Sequence, residues 1–332
     1  MREPAFWWRE AGFAASLLAP VGLIYGAIAA RRMATKGTAA GVPVLCVGNF
    51  TLGGAGKTPT VIALARMLAD AGERPFCLTR GYGGTLTGPK LVDPHNDLAA
   101  QVGDEALLLA HIAPTVVARD RVAGATFARA QGAGIIIMDD GLQNASLAKD
   151  FTLAVIDAHR GVGNRCIFPA GPLRAPLSAQ LAQTDALLIV GECHGADDVA
   201  THARACNMPI LHGRLAPDLS ALASLKGRRV LAFAGIGNPD KFFATAEGAG
   251  IAIAERRSFD DHYRYTAEDA GELIMEAEHS GLALLTTEKD RARMAGERLL
   301  DALFTRAHAL PVAMVFDQSD ELRRLLMTKL QR

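Results

Sequence analysis

The run Thr51-Leu52-Gly53-Gly54-Ala55-Gly56-Lys57-Thr58 constrains this chain more than any other stretch. It follows the apolar Val42-Pro43-Val44-Leu45-Cys46-Val47 and precedes an apolar-periodic segment from Val61 to Leu68. Strand, glycine-rich loop and helix in that order build a cradle for phosphate, with backbone N–H groups turned toward the anion at a helix N-terminus. Gly53, Gly54 and Gly56 carry no Cβ to block that approach. Lys57 is expected at the β- and γ-phosphates and the Thr58 hydroxyl on Mg²⁺. Pro59 fits the first helical turn, where its missing N–H costs nothing. The first glycine of the usual G-x-x-x-x-G-K-[ST] pattern is replaced by Thr51. The plainer reading, a turn with a solvated lysine, leaves three glycines before Lys-Thr without a purpose.

From residue 42 apolar strands alternate with helices. Strands are expected at 42–48, 75–79, 115–118, 134–138, 152–156 and 185–190, with helical runs at 60–71, 103–112, 120–131 and 178–183. That alternation implies an α/β fold: a P-loop NTPase core with a mostly parallel sheet covered on both faces. Residues 157–177 are rich in Gly, Pro and Arg and read as a long functional loop. A second series starts near Arg228, with strands at 230–234, 250–255, 282–286 and 311–315 and helices at 239–248, 266–280 and 319–330. Pro209, Gly213, Pro217 and Gly227 interrupt the pattern between the two series. The expected division of the 332 residues is therefore an N-terminal segment 1–36, a P-loop domain 37–212 and a smaller α/β domain 213–332, with a substrate cleft between the last two.

Formal net charge is zero, so no basic field points to nucleic acid. Five scattered cysteines without a CxxC fit a reducing compartment and argue against a zinc site or a disulfide framework. The N-terminus stands apart. Ala11 to Ala30 holds no charged residue, both tryptophans (Trp7 and Trp8) precede it, and Arg31, Arg32 and Lys36 follow. A secretory signal, a spanning helix, a buried core helix and a helix on the membrane face all suit such a stretch. Glu3 and Glu10 oppose a signal. Pro20 and the many Ala and Gly residues weaken a span. The adopted reading is a helix, or two short helices broken near Pro20, on the cytoplasmic face of a membrane with anionic lipids.

Ile135-Ile136-Ile137-Met138 ends in Asp139-Asp140-Gly141, where a P-loop protein carries a second acid for Mg²⁺. Asp104 and Glu105 open a helix, and carboxylates there also simply complement its dipole. Arg80, Arg121 and Arg174 are candidates to neutralise phosphate charge. His262, within Phe259-Asp260-Asp261-His262-Tyr263-Arg264-Tyr265, gains meaning only if its loop faces the P-loop across the cleft.

Several separate segments together resemble the tetraacyldisaccharide 4′-kinases of lipid A biosynthesis. They are residues 47–59, Thr79-Arg80-Gly81-Tyr82-Gly83, Gly103-Asp104-Glu105, Asp139-Asp140-Gly141-Leu142-Gln143 and Pro169-Ala170-Gly171-Pro172-Leu173-Arg174. The C-terminal half adds Ala234 to Pro239, Phe259 to Tyr265 and Thr287-Glu288-Lys289-Asp290. Thr51 matches that family's loop. The resemblance implies a membrane-associated kinase of the bacterial inner membrane, peripheral or monotopic on its cytoplasmic face. It would move the γ-phosphate of ATP, with Mg²⁺, to the 4′-hydroxyl of an acylated glucosamine disaccharide 1-phosphate. It implies Asp104 as base with His262 as partner, Thr58, Glu105, Asp139 and Asp140 around Mg²⁺, and Arg121 and Arg174 toward anionic groups. No obligate protein partner is implied. Asn144 and Tyr263 stand where many members have histidine, so roles of those histidines do not transfer.

The rival is a membrane-associated P-loop switch ATPase. Such proteins typically carry a lysine just before the paired glycines, where this chain has Leu52, and they lack the Phe259–Tyr265 loop.

Overall fold

A computed structural model describes residues 3–330. Its larger sheet contains β1 (Val44–Gly48), β2 (Pro75–Thr79), β3 (Lys90–Leu91), β4 (Thr115–Val117), β5 (Ile135–Asp139), β6 (Phe151–Asp157), β7 (Ala186–Val190) and β8 (Ile210–Pro217). The smaller sheet contains β9 (Arg229–Ala234), β10 (Ala252–Ser258), β11 (Ala283–Thr287) and β12 (Ala307–Leu310). A final strand, β13 (Val312–Phe316), returns to the larger one.

The nine-stranded order is β13-β8-β7-β6-β1-β5-β2-β4-β3, and the four-stranded order is β10-β9-β11-β12. Among the described residues only β3 and β13 run antiparallel to their neighbours. Strands β1, β2, β5, β6 and β7 are buried on both faces. Their near-continuous Val, Ile and Leu runs are what a doubly covered parallel sheet needs. The helix Lys57–Asp70 packs Val61, Leu64 and Leu68 on one face of the sheet. Each such side chain contributes roughly 1.5–3 kcal/mol by leaving water. The C-terminal helix Ser319–Leu330 adds Leu322, Leu326 and Leu330 to the same cluster.

That packing corrects the expected division at 212/213. The boundary would cut β8, and β13 pairs with β8 through Val312↔Pro217 to Phe316↔Gly213. Residues 312–330 therefore belong to the larger sheet, although they follow the smaller one in sequence. The smaller sheet is an insertion between β8 and β13. Residues 1, 2, 331 and 332 of the expected ranges lie outside the described residues.

After a short 3-10 turn at Ala5–Trp8, the apolar stretch of the N-terminal segment is one helix, Phe13–Met33, that continues through Pro20 rather than breaking there. Its small residues face the protein: Ala15, Gly22 and Gly26 are buried, and a Cβ on Gly22 would lie 2.7 Å from the Ile167 carbonyl oxygen. Its large apolar residues face outward, among them Phe13, Leu17, Leu23, Ile24 and Ile28. The helix is long and apolar enough to cross a membrane, and 17% of its most apolar window is buried. Its docking partner is the long loop after β6. Tyr25 and Trp7 both pack edge-on to Phe168, and Trp7 Nε1 donates to the Pro169 carbonyl at 3.1 Å.

Candidate active site

Parallel strands deliver their following loops to one edge, and a site gathers there. Here the carboxyl ends of β1, β2, β4, β5 and β6 meet those of β9, β10 and β11. The central register pairs Val47 with Asp139, so the phosphate loop and the Asp139-Asp140 turn leave the sheet side by side.

The phosphate loop turns at Gly56, with φ 92°, a backbone conformation that glycine adopts without strain. Lys57 begins the helix, and its Nζ lies 3.4 Å from the Gly53 carbonyl and 3.6 Å from Asp140 Oδ1. Arg174 grips Asp140 with Nη1 at 3.0 and 2.9 Å, while its Nε donates to the Thr51 carbonyl at 2.9 Å. The loop carrying Arg174 also accepts Leu52 N–H at the Pro172 carbonyl, 2.8 Å away. Arg174 thus braces the phosphate loop. Burial pushes the Asp140 carboxyl up, but Arg174 and Lys57 outweigh it and hold it well below the ordinary carboxylate range.

Asp139 is different. It is buried, and neither carboxylate oxygen has a hydrogen-bond partner among the described residues. Burial, reinforced by Glu105 and Asp140, pushes it up to about 7. An orphaned buried carboxylate beside a phosphate loop is the setting a divalent cation would complete. No group of three or more His, Cys, Asp or Glu side chains among the described residues could hold an ion unaided. Mg²⁺ at phosphoryl-transfer sites keeps water and phosphate ligands, so the two observations agree.

Gly103, with φ 92°, turns the chain into the helix Asp104–Ala110 and puts two consecutive carboxylates at its N-terminus. Glu105 faces the phosphate loop: Thr58 Oγ1 donates to Glu105 Oε1 at 3.2 Å. From the smaller sheet, Lys289 donates to the same oxygen at 2.5 Å. Asp104 faces the other way. Its Oδ2 stands 3.4 Å from His262 Nδ1 and accepts Arg293 Nε at 2.6 Å. Burial raises the Asp104 carboxyl, but His262, Arg293 and Lys289 together bring it well below its ordinary value. The loop of His262 therefore does face the P-loop half. Tyr82 packs against His262 with the rings tilted by 60° and 4.7 Å between centroids, and Arg264 donates to the Gly83 carbonyl at 3.0 Å.

The other two expected arginines, Arg80 and Arg121, differ in exposure. Arg121 is buried and donates to the Ala118 carbonyl at 2.6 Å, with its Nε unpartnered among the described residues. Its charge interacts with those of Asp139 and Asp140. Arg80 is exposed at the end of β2, within electrostatic reach of Arg121.

Sequence reasoning assigned no role to Lys289, Arg293 or Arg160. Lys289 lay inside a quoted motif, but a lone arginine four residues later carries no signal. Arg160 binds Glu3 at 2.7 Å and stacks over Trp8 at 4.6 Å, and Glu3 also accepts Trp8 Nε1 at 3.0 Å. A Cβ on Gly53 would lie 2.1 Å from Glu3 Oε1, so this cluster abuts the phosphate loop.

The sequence model of the family described as Tetraacyldisaccharide-1-P 4′-kinase matches residues 14–331. The chain belongs to that family. A tetraacyldisaccharide 4′-kinase of Rhodopseudomonas palustris (strain BisB5) is 53% identical over 332 residues, covering 100% of this chain and 98% of the relative. One of Bradyrhizobium diazoefficiens is 50% identical over 332 residues, covering 100% and 97%. A solved structure of LpxK from Aquifex aeolicus, described as an "apo" form in complex with ATP, superposes with a TM-score of 0.72 at 26% identity. It matches over 95% of this chain and 99% of that one. This family consists of kinases that phosphorylate a hydroxyl, so the family resemblance drawn from the sequence holds over nearly the full length.

Proposed function

We propose that this chain transfers the γ-phosphate of ATP to the 4′-hydroxyl of a tetraacyldisaccharide 1-phosphate, with Asp104 and His262 handling the proton. One observation carries the assignment of roles. Asp104 and Glu105 are adjacent, and Glu105 touches Thr58 of the phosphate loop while Asp104 touches His262 of the opposite sheet. The group that receives a hydroxyl proton is therefore one residue from the group that faces the phosphate.

A sugar hydroxyl is a poor nucleophile at neutral pH and needs an acceptor as the new P–O bond forms. The Asp104–His262 pair supplies one, with the proton leaving the 4′-oxygen as that oxygen attacks and the bond from γ-phosphorus to the β,γ-bridging oxygen breaks. Lys57 and the loop N–H groups stabilise the charge on the transferring and leaving oxygens. Thr58, Glu105, Asp139 and Asp140 would hold Mg²⁺, which when bound neutralises phosphate charge. Most of the rate comes from alignment and charge neutralisation rather than from the base.

The helix Phe13–Met33 suits a peripheral or monotopic anchor on the cytoplasmic face of the inner membrane, with Arg31, Arg32 and Lys36 toward anionic headgroups. Acyl chains could then stay in the bilayer while the sugar enters the cleft.

The test is transfer of radiolabelled phosphate from ATP-Mg²⁺ to the lipid in mixed micelles. Wild type should label it, and Lys57→Ala and Asp104→Ala should abolish most turnover. ATP hydrolysis without labelled lipid would favour a switch ATPase instead.

A further inference from the structure

Asp104 and His262 come from different sheets, and a single side chain is bonded to the supports of both. Arg293 lies on the short helix Glu288–Met294 after β11 and is buried. Its Nε donates to Asp104 Oδ2 at 2.6 Å, and its Nη2 lies 2.5 Å from the same oxygen. Its Nη1 donates to the Gly235 carbonyl at 2.6 Å. That same carbonyl accepts the backbone N–H of His262 at 3.0 Å. One guanidinium therefore fixes the carboxylate of one partner and the backbone anchor of the other.

The guanidinium is fixed in turn. Asp290 Oδ1 accepts Nη1 at 2.8 Å. Asp290 is fully buried and accepts Thr287 Oγ1 at 2.6 Å, Tyr265 O–H at 2.9 Å and Gly235 N–H at 3.1 Å. The other Asp104 oxygen, Oδ1, accepts Glu105 N–H at 2.9 Å. With Oδ1 held by its own helix and Oδ2 by Arg293, the Asp104 carboxylate has one orientation, and Oδ2 is the oxygen facing His262.

We infer that Arg293 is a positioning residue for phosphoryl transfer, holding Asp104 and His262 in register across the cleft. This rests on reading Asp104 and His262 as the proton-handling pair. The geometry calls for a planar fork: Nε serves Asp104 while Nη1 serves both Gly235 and Asp290, two nitrogens held at a fixed angle in one rigid group. A lysine keeps the charge but presents a single nitrogen on a flexible stem.

Steady-state kinetics on the full-length protein, with lipid in mixed micelles, test this through Arg293→Lys and Arg293→Gln. In both, kcat should fall about tenfold or more while the KM for ATP stays within about twofold, because the phosphate loop is untouched. In a His262→Ala background the further loss from Arg293→Lys should shrink to less than about threefold, since residues acting through one pair are not additive. Wild-type kcat in Arg293→Lys would overturn the inference. So would an undiminished loss in the His262→Ala background, or an Arg293→Lys protein that does not fold, either of which marks a purely structural residue. If Arg293→Gln alone fails to fold, Arg293→Lys carries the test. Asp104→Ala separates the two readings. If it retains turnover, the pair assignment itself fails. If it is inactive while Arg293→Lys is wild type, only the role of Arg293 fails.

Discussion

Asp139 and Asp140 are consecutive, yet Arg174 grips Asp140 through both carboxylate oxygens while neither oxygen of Asp139 has a hydrogen-bond partner among the described residues. The strand ends between them. Asp139 is the last residue of β5, whereas Asp140 turns out at φ 52° toward the phosphate loop. Burial is uncompensated at one position and compensated at the other.

This asymmetry predicts that Asp139→Asn stabilises the protein while removing its activity. The raised carboxyl, at about 7 against an ordinary 3.8, binds a proton more tightly folded than unfolded. Its contribution to stability is therefore lost as pH rises from near 4 to 7 and stays lost above. A neutral amide at this position carries no such penalty. Thermal unfolding without nucleotide should show the variant more stable at pH 8, by on the order of a few kcal/mol, with little difference near pH 4. Lipid phosphorylation should be nearly absent.

Arg174→Lys should weaken ATP binding more than it slows turnover. The lysine keeps a charge beside Asp140 but cannot also donate to the Thr51 carbonyl, so the first half of the phosphate loop loses its brace. We expect the KM for ATP to rise about five- to tenfold, a loss of roughly 1–1.4 kcal/mol. An unchanged KM would place the bracing elsewhere.

Asp157, at the end of β6, pairs with Lys241 on the first turn of the helix Pro239–Gly248, which packs on the smaller sheet. Burial raises the Asp157 carboxyl, but Lys241 and local N–H groups outweigh it and bring it below 3.8. That stability is present above the ordinary carboxylate range and is lost as pH falls through the lower folded value. Lys241 is partly solvated, so screening limits the pair to roughly 1 kcal/mol. Lys241→Met should cost about that at pH 7 and nothing in strong acid, as read by urea midpoints.

The outward face of the N-terminal helix can be separated from its inward face. Leu17→Glu with Ile24→Glu should leave the melting temperature unchanged, because both side chains are exposed, while the protein leaves the membrane fraction. Gly22→Leu should do the reverse. Its side chain would collide with the Ile167 carbonyl, undock the helix from the loop that leads to Arg174, and lower stability by about 1–3 kcal/mol.

Local pattern was enough for much of this molecule. The order of strand, glycine-rich loop and helix, the alternation of apolar strands with helices, and the Asp-Asp turn after β5 were all legible. Each depends on residues near one another in the chain, and each recurs for the same steric and dipolar reasons. The long apolar N-terminal helix was legible as well. Its continuity through Pro20 was not, because docking of the helix on Ile167 and Phe168 is a long-range contact.

What tertiary structure alone decided was pairing across distance. No local periodicity says that Val312–Phe316 leaves the smaller sheet to pair with β8, since an edge strand reads the same wherever it docks. No spacing says that His262 reaches Asp104, or that Lys289 and Arg293 meet carboxylates 184 and 189 residues earlier. The sequence by itself determined that the chain handles phosphate and resembles a lipid kinase family. Only the folded chain, by bringing together the carboxyl ends of the parallel strands of two sheets and burying charges that must then find partners, decided which residues share the site.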